Sequence, residues 1–189
     1  GARGDDPPNE RSMNAYRPFL SVLGIECPVI GALNGHAIGG GLGLALVCDM
    51  RVANQDAKYV ANVTRPRLDP GMVTTYFLPR FVGMPRAAEL ILTGRIVTGK
   101  EAADYGLMNY AVSEDQVLPK AMELAREVAE CAPVANRWAK RSLYQNFDWD
   151  PVTAAQHEAE LQSRTIESND HKEGVKALLE KRKPEFHGK

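Results

Sequence analysis

The stretch from Pro28 to Val60 constrains this chain more than any other. Pro28 opens the apolar run Val29-Ile30-Gly31-Ala32-Leu33, whose β-branched residues predict a buried strand. Asn34-Gly35 signals a turn. Gly39-Gly40-Gly41-Leu42-Gly43 then runs into Leu44-Ala45-Leu46-Val47, a glycine-lined turn entering a buried helix. Met50 to Ala53 and Lys58 to Val60 read as further strands. Glycines lose more backbone freedom on folding than other residues, so a triplet needs a geometric reason. A strand that feeds such a turn and a helix aims unpaired backbone N–H groups at whatever lies before the helix. They could hold a phosphate or polarise a carbonyl oxygen, or the glycines could serve helix–sheet packing alone. The spacing fits neither GxGxxG nor a P-loop, since the third glycine of the first and the Lys-Ser/Thr of the second are missing.

The rest of the chain is asymmetric. Residues 1–11 read as loop, and Met13, Tyr16, Phe19, Leu20 and Leu23 recur at helical spacing until Gly24. A loop at 65–70 precedes a helix from Met72 to Phe81 that Pro79 should break, and Pro85 starts another through Leu92. Thr98 with Glu101 and Ser113 with Gln116 make capping-box patterns. Helices follow from about 115 to 130, 133 to 145 and 151 to 167, and Asp170 with Glu173 should cap a last one that Pro184 stops. The expected division is a mixed α/β region, 1–112, and a helical region, 113–189. Hydrophobic residues are 44% and the net charge is −1, a globular balance with no bulk attraction to nucleic acid or an anionic membrane. No apolar run approaches the ~18 residues of a membrane span. Three scattered cysteines make neither a disulfide framework nor a metal site and suit a reducing compartment, the cytoplasm or, in a eukaryote, the mitochondrial matrix.

The segment from Pro28 to Ala53 closely resembles the signature of the enoyl-CoA hydratase/isomerase (crotonase) superfamily. Further stretches resemble it in order: Leu78-Pro79-Arg80-Phe81-Val82-Gly83, Glu89-Leu90-Ile91-Leu92-Thr93-Gly94-Arg95, Glu101-Ala102 with Gly106-Leu107, Lys172-Glu173-Gly174-Val175, and Leu179 to Pro184 with Phe186. The resemblance implies an α/β crotonase-like fold, a spiral β-sheet core flanked by helices with an all-helical C-terminal region. It also implies acyl-CoA thioester substrates, coenzyme A entering as part of the substrate, and no metal. Two backbone N–H groups would stabilise an enolate-like intermediate; the matching positions are Gly40 and, in the remnant of the preceding loop, Ala2. Homo-oligomers, trimers or dimers of trimers, would be built on the C-terminal helices. Lys181 and Lys183 match a stretch that often reaches the CoA of a neighbouring subunit, although cations also suit a helix C-terminus.

The chain departs from the pattern where proton transfer is concerned. The two hydratase glutamates match Gly43 and Val63, and neither residue can move a proton. Asp69 is the candidate replacement acid or base; alternatively it caps a helix starting at Pro70. His36 is a second candidate, or a packed histidine. Arg65 and Arg67 could hold a substrate carboxylate or a CoA phosphate, or be solvated loop charges. Thr74, Thr75 and Tyr76 could donate to substrate or serve the core and caps. Hydration or isomerisation of an enoyl-CoA is the family default. A CoA-thioester hydrolase, a decarboxylase and a non-catalytic acyl-CoA-binding subunit are the alternatives. Since the first match falls within the first oxyanion loop, the resemblance also implies a missing N-terminal part of the fold, from a fragment, a processed product or a split pair.

Overall fold

The computed structural model describes residues 7–61 and 70–188. They form two compact units, one of residues 7–25, 29–61 and 70–123, the other of 26–28 and 124–188.

The first unit is α/β. Its elements are α1 (Pro8–Leu20), β1 (Ile30–Leu33), β2 (Ala37–Ile38), α2 (Gly40–Leu46), β3 (Met50–Asn54), β4 (Lys58–Val60), α3 (Thr74–Thr93), β5 (Ile96–Thr98), α4 (Gly99–Asp104), β6 (Tyr110–Val112) and the start of α5 (Glu114–Ala129). One sheet runs β1-β3-β6, all parallel, with Ile30 opposite Met50 and Leu33 opposite Ala53. Parallel neighbours need a crossover, and β2 with α2 supplies the one between β1 and β3. The other sheet runs β2-β4-β5, with β2 parallel and β5 antiparallel to β4. The core gathers Leu42, Leu46, Val52, Tyr59, Leu78, Leu90, Leu107 and Val117, all buried. Between β5 and α4 the capping box forms: Thr98 Oγ1 accepts from the Glu101 amide at 3.2 Å, and Glu101 Oε2 accepts from the Thr98 amide at 2.8 Å. Gly99 is required there, because a Cβ would run into the Asn54 carbonyl.

Several local expectations change. Residues 8–11 are helical, because Pro8 sits in the first turn where its missing N–H costs nothing. Strands β2, β5 and β6 have only two or three residues, too few for a periodic signal. No helix begins at Pro70: α3 starts at Thr74, after Met72 and Val73 take left-handed conformations. Pro79 lies inside α3, and the break falls instead at Gly83, with φ 75° and ψ 159°.

The second unit is helical: the end of α5, α6 (Pro133–Gln145), α7 (Pro151–Ile166) and α8 (Asn169–Glu180). Asp150 caps α7, accepting from the Val152 and Thr153 amides at 2.9 and 3.1 Å. Ser168, and not Asp170, caps α8, its hydroxyl accepting from the His171 amide at 3.1 Å. Asp170 is buried and holds the returning tail, accepting from the His187 and Gly188 amides at 2.8 Å each. Glu173 does the same through Arg182 and the Glu185 amide. α8 ends before Pro184, at Glu180, with Lys181 in the left-handed conformation at φ 53°. No described helix is long and apolar enough to cross a membrane.

Candidate active site

The site grows from the turn between β2 and α2. Gly39 has φ 54° and ψ −113°, a backbone region that side chains exclude, so the first residue of the triplet must be glycine. Its own amide is spent on the Val60 carbonyl at 3.0 Å, which ties the turn to β4. Gly40 is the first helical residue and is exposed. Helix geometry leaves the amides of Gly40, Gly41 and Leu42 without an intrahelical acceptor. Among the described residues they find no other protein partner. Gly43 closes the first turn, donating to the Gly39 carbonyl at 2.9 Å.

The helix is held at both its apolar face and its far end. Leu42, Ala45 and Leu46 are buried in the core. At the C-terminal end, Arg51 on β3 is 5% exposed and spans several elements. Its Nη1 donates to the Cys48 carbonyl at 2.7 Å and its Nε to the Leu107 carbonyl at 2.8 Å. The guanidinium lies 4.4 Å from the centre of the Phe81 ring. Asp49 accepts from the Val29 amide at 2.5 Å, pinning the end of α2 to the start of β1. Sequence reasoning assigned Arg51 no role. The signal was a lone cation between Met50 and Val52 in an apolar strand, since a charge placed there must find partners.

Met72 was also missed. It is 8% exposed, and its side chain lies along the first turn of α2. A Cβ on Gly43 would collide with the Met72 Cβ and stand 3.1 Å from its carbonyl oxygen. A Cβ on Gly40 would lie 3.8 Å from the Met72 Cε. A Cβ on the preceding Gly71 would meet the Tyr16 hydroxyl of α1, so a side chain there would push that ring aside. No local pattern marks Met72, because its contacts are almost thirty residues away in sequence.

Gly40 and Gly43 therefore share one helical turn under Met72. His36 is exposed, and its Nδ1 accepts from the Lys58 amide at 3.0 Å, joining the start of β2 to β4. Thr74 is buried, Thr75 is exposed, and Tyr76 lies beneath the Arg80 guanidinium, 3.6 Å from the ring centre. Lys181 and Lys183 belong to the second unit and are exposed. Lys183 pairs with Glu130 at 2.7 Å, which raises its pKa. Burial raises the Tyr59 hydroxyl to about 12, and that hydroxyl donates to the Leu33 carbonyl at 3.2 Å. Ala2, Val63, Arg65, Arg67 and Asp69 lie outside the described residues. Among the described residues no three His, Cys, Asp or Glu side chains converge as metal ligands.

This turn, carried between parallel strands and followed by a helical region, defines a crotonase-fold α/β protein. The chain belongs to the enoyl-CoA hydratase/isomerase family, whose model matches residues 3–189. It is similar to the mitochondrial methylglutaconyl-CoA hydratase of Homo sapiens, at 40% identity over 189 residues, covering 94% of this chain and 56% of that protein. It is likewise similar to a probable enoyl-CoA hydratase of Bacillus subtilis, at 41% identity, covering 85% of this chain and 63% of the relative. The crystal structure of an enoyl-CoA hydratase from Bacillus anthracis superposes with a TM-score of 0.93 at 35% identity, over 98% of this chain and 73% of that one. The chain thus spans less than two thirds of the length of these two curated relatives.

Proposed function

We propose that the chain forms part of an acyl-CoA enzyme that polarises the thioester carbonyl with backbone amides. Gly40 N–H is one donor and Ala2 N–H the other, together stabilising an enolate-like state. The observation that carries this reading is the free first turn of α2: Gly39 is committed to Val60, while Gly40 is exposed with its amide unspent. Family membership supplies the substrate class, CoA thioesters. Isomerisation or hydration of an enoyl-CoA is the family default, with Gly43 and Val63 standing where hydratases carry glutamates and Asp69 as the candidate acid or base. Lys181 and Lys183 are proposed as CoA contacts. A trimer or dimer of trimers is proposed as the assembly, supported by the exposed Val152, Ile166, Val175, Leu178 and Leu179 on α7 and α8.

Gly40→Pro tests the donor. Proline is tolerated at the first helical position, so the substitution removes the N–H and spares the helix. Loss of one oxyanion donor costs about 10²–10³ in turnover elsewhere. The unsubstituted chain is first offered crotonyl-CoA and a panel of other CoA esters, following thioester and enoyl absorbance. Gly40→Pro is then expected to melt normally and lose turnover on that scale. A folded variant with full turnover would sink the assignment. Binding without turnover of any ester would favour a second reading, a non-catalytic acyl-CoA-binding subunit, which the loss of acidic side chains at positions 43 and 63 supports.

A further inference from the structure

Met72 has φ 57° and Val73 has φ 53°. Left-handed backbone at residues other than glycine costs about 1–3 kcal/mol each unless the surroundings hold it, and at a β-branched valine it is a clear outlier. Here the surroundings do hold it. The Val73 carbonyl accepts from the Tyr76 and Phe77 amides at 3.0 Å each, which anchors the turn to α3. The turn delivers the Met72 side chain onto Gly43, with its methyl reaching Gly40. From standard backbone dimensions, that methyl lies no farther than ~6.5 Å from the Gly40 amide nitrogen. A thioether is a weak acceptor and cannot donate or relay a proton.

We propose that Met72 is a specificity-determining residue of this site. It fills the space beside Gly43 that a water molecule, and a side chain able to activate it, would need, so the site handles thioesters without adding water to them. This rests on the reading of Gly40 as a thioester donor. Gly43 and Met72 then form one steric unit: glycine at 43 is what allows methionine at 72, and methionine at 72 covers the Gly43 side of the turn.

The test uses the full chain in a Val63→Glu background, which restores a second carboxylate. Three variants are compared: Val63→Glu with Gly43→Glu, the same pair with Met72→Gly, and the same pair with Met72→Ala. Crotonyl-CoA hydration is followed by loss of enoyl absorbance, butyryl-CoA binding by calorimetry, and folding by thermal melts. Gly43→Glu with Met72 in place is expected to melt lower and to add no water. Met72→Gly removes the colliding Cβ, so it should restore the melt and raise hydration at least tenfold over the pair. Met72→Ala keeps that Cβ and should restore neither. Three results overturn the proposal: equal hydration with and without Met72, rescue by alanine as good as by glycine, or a Met72→Gly variant that regains neither melt nor hydration. Failure of the unsubstituted chain to bind butyryl-CoA would instead defeat the thioester reading itself, which separates the two failures.

Discussion

Arg51→Ala should destabilise the first unit and loosen the candidate site together. The guanidinium donates to two backbone carbonyls, Cys48 at 2.7 Å and Leu107 at 2.8 Å, inside a region where Arg51 is 5% exposed. Those carbonyls belong to the main chain, so no compensating substitution can remove them. Each hydrogen bond from a charged donor to a buried acceptor contributes about 1.5–3 kcal/mol. The stacked Phe81 ring adds about 2 kcal/mol when the cation is desolvated. The expected loss is therefore about 5–8 kcal/mol, comparable with the ~5–15 kcal/mol that holds a typical protein folded. For a chain of this size that corresponds to roughly 10–32 °C in melting temperature. Arg51→Lys keeps the charge and loses the planar fork, so it should fall between, near 2 kcal/mol. Arg51→Met keeps the volume and should behave like alanine, because an apolar isostere still removes both donors. Urea melts by circular dichroism measure the series, and calorimetry with butyryl-CoA reports whether α2 still presents its first turn. An Arg51→Met protein within 1 kcal/mol of the unsubstituted chain, with an unchanged denaturant slope, would refute the reasoning.

Two further predictions concern the second unit. Asp170→Asn preserves shape but turns an amide N–H₂ toward one of two backbone donors; it should cost about 1.5–3 kcal/mol of tail docking and speed carboxypeptidase removal of the C-terminus, and equal protection would count against the clasp. Glu173 is held at about 2, chiefly by the Arg182 guanidinium and then by the Glu185 amide. A carboxylate depressed below its ordinary 4.5 contributes stability that is fully present above pH 4.5 and lost as pH falls toward 2. Arg182 stays charged throughout. Tail release by an acid-active protease should therefore rise across that window, and the rise should flatten in Glu173→Gln; an identical pH profile in the variant would show that another group controls the tail.

The sequence and the structure agree where the rule is local. The capping box at Thr98 and Glu101 and the Asp150-Pro151 helix start are satisfied within three residues of themselves, so their spelling carries them. Gly39 is legible for the same reason, since only its own φ and ψ demand glycine. The misreadings share the opposite property. Asp170 has the spelling of a cap, yet the tail returns from residues 187 and 188 to claim its oxygens, and Ser168 takes the cap instead. Pro70 looks like a first-turn proline, yet Met72, packed against Gly43, and Val73 are left-handed, and the helix starts only at Thr74. The short strands β2, β5 and β6, which no pattern marks, are set by their partners.

The same division explains what can vary at such a site without destroying it. A donor made of backbone survives any side-chain change that leaves Gly39 and the first turn of α2 in place. Proton transfer has no such protection, because it needs a titratable side chain within reach. In this chain position 43 is glycine, and the space a side chain there would need is taken by Met72, from a distant loop whose own backbone is strained. Strain of that kind persists only where neighbouring contacts over-determine it. Gly43 and Met72 are thus better understood as a pair than as a deletion and an oddity. The pair explains why a glutamate placed at 43 alone should fail: the Cβ of any residue at 43 meets the Cβ of Met72 before its functional group can matter.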